Sequence, residues 1–176
     1  MATVVWITGL PGSGKSTLAK ALKGELHARG WPVYTLDGDV LRDRLCSDLG
    51  FSPKDRNENV RRVAEVAAMF AALDDDMVVI AAFISPHEAG RKQAREAVTG
   101  YGFRFVEVYL CTPLMVCEER DPKGHYRRAR KGEMKNFTGV SAPYEQPSHP
   151  DLIVDTSSRT IESCIASIRD VLAQED

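Results

Sequence analysis

The chain has 176 residues, 43% of them apolar and 27% charged, which fits one globular domain with a proper core. A formal net charge of −2 argues against a nucleic-acid binder that relies on bulk positive charge, and no apolar run approaches the ~18 residues of a membrane-spanning helix. Four cysteines (Cys46, Cys111, Cys117, Cys164) and four histidines (His27, His87, His125, His149) fall at no metal or redox spacing, so buried free thiols in a reducing cytoplasm are expected, and a histidine metal site is not.

Val4-Val-Trp-Ile7 is a short β-branched and aromatic run suited to a buried parallel strand. Gly9-Leu-Pro-Gly-Ser-Gly-Lys-Ser-Thr17 follows at once and matches the phosphate-loop pattern GxxxxGK[ST] without a mismatch. The motif begins nine residues in, so no signal or transit peptide is expected ahead of it. Leu18, Ala19, Ala21, Leu22 and Leu26 then recur at helical spacing, so the loop opens a helix. Gly9, Gly12, Ser13, Gly14, Lys15, Ser16 and Thr17 are the expected nucleotide contacts. Glycines let successive N–H groups turn toward phosphate oxygens, and the helix N-terminus adds its dipole. Lys15 reaches the β- and γ-phosphates, and the Ser16 hydroxyl can ligate Mg²⁺.

Pro32 to Leu36 reads as a second strand, ending at Asp37-Gly-Asp39, with a short helix over Asp39 to Cys46. A longer helix begins at Asp55 and carries Val60, Val63, Ala67 and Phe70 on one stripe. Asp74-Asp-Asp76 ends it as a solvated turn. Met77 to Ile84 predicts a central buried strand, 87–100 a charged helix, Phe103 to Leu110 a fourth strand and Leu114 to Glu119 a short helix. Leu152 to Val154 is a last strand, and Ile161, Cys164, Ile165, Ile168, Val171 and Leu172 stripe a closing helix. The alternation predicts an α/β, three-layer fold, with a mostly parallel sheet covered by helices on both faces.

Arg120 to Gln146 breaks the alternation. It holds Arg120, Lys123, Arg127, Arg128, Arg130, Lys131 and Lys135 with few large apolar residues. It reads either as a solvated charged face or as a mobile lid of a single 1–176 domain, closing over phosphates and supplying cations. The lid reading is preferred because a phosphate loop is already present. There is no Asn-Lys-x-Asp guanine motif, and Asp121-Pro-Lys-Gly124 follows a helix rather than a strand. The strand over 77–84 ends in Ser85-Pro86, so the acids lie instead at the end of strand two, where a carboxylate can orient Mg²⁺ or accept a proton from an acceptor hydroxyl. That arrangement suits a small-molecule kinase.

Further blocks narrow the class. Leu36-Asp-Gly-Asp39 with Arg42, Leu49-Gly-Phe-Ser52, Asp55-Arg56, Glu58-Asn59 and Arg61-Arg62 come first. Phe83-Ile-Ser-Pro86, Cys117-Glu118 with Arg120-Asp121, Lys123-Gly124 with Tyr126, Asn136-Phe-Thr-Gly139 and Pro143-Tyr-Glu145 with Pro147 follow. In this order, over nearly the whole chain, they resemble adenylylsulfate kinase. The resemblance implies transfer of the ATP γ-phosphoryl to the 3′-hydroxyl of adenosine 5′-phosphosulfate (APS), with Mg²⁺, in a cytoplasmic homodimer.

It also implies roles for individual residues. Lys15 and Asp39 are catalytic, Asp39 as base or orienter of the 3′-hydroxyl, with Ser85 beside them in a structural rather than covalent part. Arg120 joins the ATP contacts, and Asp37 joins Ser16 around Mg²⁺. Arg42 and Arg56 clamp the phosphosulfate, with Asn59 one helical turn beyond Arg56. Phe51 and Phe137 sandwich the APS adenine; Ile84, Ser85, Lys123 and Asn136 complete the acceptor pocket. Three places depart from the family's pattern: Val40 after Asp-Gly-Asp, His125 in Lys-Gly-His-Tyr, and the acidic turn at 74–76. Val40 leaves open a kinase for another nucleotide acceptor. A regulatory nucleotide-binding domain is the third class, opposed by Lys15, Ser16, Asp39 and the lid cations.

Overall fold

The apolar run at the start of the chain lies at the middle of a sheet. A computed structural model describes residues 1–174, and in it strand β1 (Thr3–Gly9) is buried at every position. Alternate residues face opposite ways, so Val5 and Ile7 pack into one core while Val4 and Trp6 pack into another. A strand apolar on both faces needs helices on both sides, and the chain supplies them.

Strands β2 (Val33–Asp37), β3 (Val78–Ala82), β4 (Arg104–Leu110) and β5 (Leu152–Val154) join β1 in the order β2-β3-β1-β4-β5, every pairing parallel. Helix α1 (Lys15–Ala28) and the last helix, α7 (Ile161–Leu172), cover one face through Leu18, Leu22, Leu26, Cys164 and Ile168. On the other face, α3 (Pro53–Ala71) contributes Val60, Val63, Ala64 and Ala67, and α4 (Glu88–Gly100) contributes Ala94 and Val98. Each fully buried Val, Leu or Ile contributes about 1.5–3 kcal/mol. These two cores therefore hold the sheet, and the loops at its carboxyl edge are left to bind ligands.

Several expected boundaries move for local reasons. Helix α3 starts at Pro53 rather than Asp55, because the Ser52 hydroxyl caps it by accepting from the Asp55 N–H at 3.2 Å. The short helix α2 spans Gly38–Asp43 and is capped by Asp37, not started by Asp39. Strand β3 stops at Ala82, short of Ile84, because the chain turns sharply at Ser85, whose φ is +38°. Asp74 to Asp76 form the exposed turn expected, with the Asp76 N–H bound by the Asp74 carboxylate.

The basic segment has more internal structure than its charge suggests. Helix α5 (Leu114–Arg120) leads into it and α6 (His125–Arg130) lies within it. Cys117, Tyr126, Ala129 and Phe137 form a third small core, with Leu10, Leu114, Met134 and Val140 against it. Asp121 caps α6 by accepting from the N–H groups of Tyr126 and Arg127, both at 3.0 Å, which accounts for the stray DxxG. All four cysteines are free, and three are buried as expected; Cys111 is partly exposed. Among the described residues no helix is long and apolar enough to cross a membrane.

Candidate active site

A cavity of about 970 Å³ opens at the carboxyl edge of the sheet, between the phosphate loop, the ends of β2 and β3, the start of α3 and the basic segment. Gly12, Gly14, Lys15, Ser16 and Thr17 line it, while Gly9 and Ser13 lie beneath the loop. Gly12 has φ +75°, and a Cβ there would come within 2.8 Å of the Cys117 carbonyl oxygen, so the loop closes only on glycine. Gly14, φ +94°, precedes α1, so the helix N-terminus points into the cavity.

The Lys15 ammonium donates to the carbonyls of Gly9 at 3.0 Å and Leu10 at 2.7 Å. Burial lowers its pKa to about 8; Cys117 and Asp39 pull it upward and Lys123 downward. An amine so poorly hydrated gains much from meeting phosphate oxygens. The loop is held from behind, since the Ser13 carbonyl accepts from the hydroxyls of Thr156 at 2.8 Å and Thr112 at 3.3 Å. Arg120 donates to both oxygens of Thr156, at 2.9 and 2.8 Å.

The acceptor end is assembled by side chains. Asp39 lines the cavity on α2 and forms an ion pair with Lys123, which reaches in from the basic segment. Arg42 donates to the Gly50 carbonyl at 2.7 Å and to Asn59 Oδ1 at 3.4 Å, with its guanidinium 4.5 Å from the Phe51 ring centre. Arg56 donates to the Phe51 carbonyl at 3.0 Å, to Thr138 Oγ1 at 2.9 Å and to the Asn136 carbonyl. Burial, and then Arg42, lower the Arg56 pKa. The two arginines therefore stand as a cationic pair around Phe51, the exposed aromatic ring of the cavity lining among the described residues.

Not every expectation holds in detail. Phe51 is 58% exposed and stands open to a ligand, but Phe137 is 9% exposed. Phe137 packs edge-on to Tyr126 at 5.0 Å, so it serves the small core while touching the cavity. Of the seven expected cations only Arg120, Lys123 and Lys135 line the cavity; Arg127, Arg128, Arg130 and Lys131 point outward as a solvated face. Ser85 is buried, and its hydroxyl accepts from Trp6 Nε1 at 3.0 Å. Asp37 spends one carboxylate oxygen on the N–H groups of Asp39 and Val40, at 2.9 and 3.2 Å. Val40 itself is 60% exposed and outside the cavity lining, so it provides no support for a different acceptor.

Tyr126, Thr138 and Thr156 escaped the sequence reading as working residues. Tyr126 donates to the Pro11 carbonyl at 2.9 Å, fastening the basic segment to the phosphate loop. A tyrosine amid arginines offers a weak signal for such a contact, and Thr156 offers none. Among the described residues no group of three or more His, Cys, Asp or Glu could hold a metal ion. Ser16 and Asp37 do offer hard oxygens beside the phosphate loop, a partial set that suits Mg²⁺ arriving with nucleotide phosphates.

Comparison with known proteins agrees with this geometry. The family model described as adenylylsulphate kinase matches residues 1–155. The adenylyl-sulfate kinase of Marinobacter nauticus is 51% identical over 165 residues, covering 94% of this chain and 81% of the relative. The APS kinase CysC of Mycobacterium tuberculosis, solved in complex with AMPPNP and APS, superposes with a TM-score of 0.94 at 43% identity over 98% of both chains. A hexameric APS kinase from Thiobacillus denitrificans gives a TM-score of 0.70 at 33% identity, over 97% of this chain and 28% of that one.

Proposed function

The chain belongs to the adenylylsulphate kinase family, and from that premise we propose how its cavity performs the reaction. It is an ATP-dependent phosphotransferase that moves the γ-phosphoryl of ATP to the 3′-hydroxyl of APS and so makes PAPS. The observation that carries the assignment of roles is the meeting, in one cavity, of Lys15 and Ser16 with Asp39, Arg42, Arg56 and Asn59.

ATP lies with its phosphates on the Gly12–Thr17 loop, and Arg120 and Thr156 border its far end. Lys15 leaves the Gly9 and Leu10 carbonyls for the β- and γ-phosphates, where its charge offsets that of the transferring group. Ser16 and Asp37 would hold Mg²⁺ together with ATP oxygens, and it would supply positive charge to offset that of the phosphates. Asp39 orients the 3′-hydroxyl and accepts its proton, with Lys123 beside it to balance the charge that develops. Arg42, Arg56 and Asn59 bind the phosphosulfate, and Phe51 stacks on the APS adenine while Phe137 bounds it edge-on. Ile84, Ser85 and Asn136 complete the pocket, and the 120–146 segment moves as a lid that excludes water.

A phosphoryl-transfer assay with ATP against APS and AMP tests the acceptor assignment. APS is expected to exceed AMP by at least about tenfold in kcat/KM, since an extra charge-assisted contact contributes roughly 1.5–3 kcal/mol. Equal rates would refute the phosphosulfate clamp. We also propose a homodimer on the family resemblance, checked by light scattering for twice 19.5 kDa, and a cytoplasmic setting on the free thiols.

A further inference from the structure

Arg91 is an unusual resident of an amphipathic helix. It lies in the second turn of α4, within a stretch that reads from sequence as charged, yet it is 2% exposed. Arginine is almost never fully buried unless its donors are matched. Here the fork reaches four parts of the chain. Nη1 donates to the Ser85 carbonyl at 2.8 Å. Nη2 donates to Glu88 Oε2 and to the Glu145 carbonyl, both at 2.7 Å. Nε lies 2.9 Å from Glu107 Oε1 on β4, and the guanidinium stands 5.7 Å from the Tyr144 ring centre.

Two of these partners matter for chemistry. Ser85 has a left-handed φ of +38°, a strained conformation for a residue with a Cβ, which persists only when its surroundings over-determine it. Its hydroxyl is fixed by Trp6 and its carbonyl by Arg91, so the turn is held from two directions. Glu145 sits at the end of the 120–146 segment and is fastened to the same turn. Its N–H donates to the Pro86 carbonyl at 2.8 Å, and its carboxylate accepts from the Glu88 N–H at 2.7 Å. Tyr144 next to it shares a hydroxyl contact of 2.9 Å with Thr8, which also donates to the Ile84 carbonyl at 2.7 Å.

We propose that Arg91 is a positioning residue for the acceptor: it holds the Ile84–Pro86 wall in shape and ties the distal end of the lid segment to that wall. Arg91 does not line the cavity, so it acts through Ser85 rather than by touching a ligand. Glu107 stands on the opposite side of the guanidinium from this work. It shares with Glu88 the neutralisation of the buried charge, while the Ser85 and Glu145 carbonyls take directed bonds. The inference rests on the reading above that Ile84 and Ser85 border APS rather than ATP.

Three variants test it, each measured for the KM of APS and of ATP, for kcat and for melting temperature. Arg91→Lys keeps the charge beside Glu107 but cannot span Ser85, Glu88 and Glu145 at once. Its KM for APS is expected to rise at least about tenfold, with the KM for ATP within about twofold. Glu107→Gln lowers melting temperature but leaves the Ser85 carbonyl bonded, so its KM for APS stays within about twofold. Should Arg91→Lys fail to fold, the double variant Arg91→Gln/Glu107→Gln leaves no buried charge alone and is expected to show the same selective rise. In a Trp31→Phe background, loss of the Ser85 turn also shifts the fluorescence of Trp6, whose indole is bonded to it. A folded Arg91 variant with unchanged KM for APS and unchanged Trp6 emission overturns the role of Arg91 alone. A rise in the KM for ATP with the KM for APS unmoved overturns both it and the assignment of this wall to the acceptor.

Discussion

The two ends of the cavity are put together from different materials. At the donor end, nine consecutive residues from Gly9 to Thr17 make the site, and its contacts are mainly backbone groups fixed by glycine conformations and by threonines behind the loop. At the acceptor end, Asp39, Arg42, Arg56, Asn59, Ser85 and Lys123 arrive from four separate segments and meet through side chains. Lys123 pairs with a carboxylate 84 positions away, and Arg56 reaches 80 and 82 positions to Asn136 and Thr138. A backbone-built site is present whenever the local fold is present. A site built from distant side chains depends on the position of whatever segment brings them.

The largest effect should come from the donor end. Lys15→Ala is expected to lower kcat/KM by at least about 10³-fold with the melting temperature nearly unchanged, because its charge serves phosphates and not the core. Near-normal turnover would break the comparison at its strongest point. Asp39→Asn comes next. It keeps the shape but removes the charge, and kcat should fall at least about a hundredfold while the KM for ATP moves little. Its exposed pair with Lys123 contributes about 0–1 kcal/mol, so stability should scarcely change.

Arg56→Ala sharpens the contrast, because Arg56 both lines the cavity and bonds the basic segment at Asn136 and Thr138. The preference for APS over AMP should shrink by about tenfold, and hydrogen exchange over 134–139 should accelerate. A change in one without the other would separate the two duties. The smallest effect is a proton. Free Lys15, with its pKa near 8, is mostly neutral at pH 8.5, and bound phosphates favour its ammonium form. ATP binding at pH 8.5 should therefore take up a fraction of a proton, and the KM for ATP should rise as pH climbs past 8. Calorimetry in buffers of different ionisation enthalpy reads the uptake, and Lys15→Arg should abolish it.

The donor end and the sheet were legible in the sequence because their signals are contiguous: an apolar run, a glycine motif, a 3.6-residue stripe. The acceptor end was legible only as a set of familiar blocks, and its geometry was not. Nothing local distinguishes Arg91 from its charged neighbours Arg95 and Lys92, since burial at that position depends on Glu107 and Glu145 from other segments. The burial of Phe137 was hidden for a similar reason. A loop phenylalanine among lysines and arginines looks open to a ligand, but Tyr126, Ala129 and Met134, scattered without period, close over it.

The placement of β1 has a consequence for how the molecule is made. This strand is synthesised early, but its two neighbours come much later: Thr3 pairs with Val78 on one side and with Arg104 on the other. At roughly 5–20 residues per second, β1 waits roughly 5–20 s on the ribosome before the second partner exists. Through that interval Val4, Val5, Trp6 and Ile7 are an unpaired apolar segment, the kind that chaperones hold and that sticks to its like. Slower translation of the stretch between Thr3 and Arg104 should therefore cost soluble yield before it costs anything else.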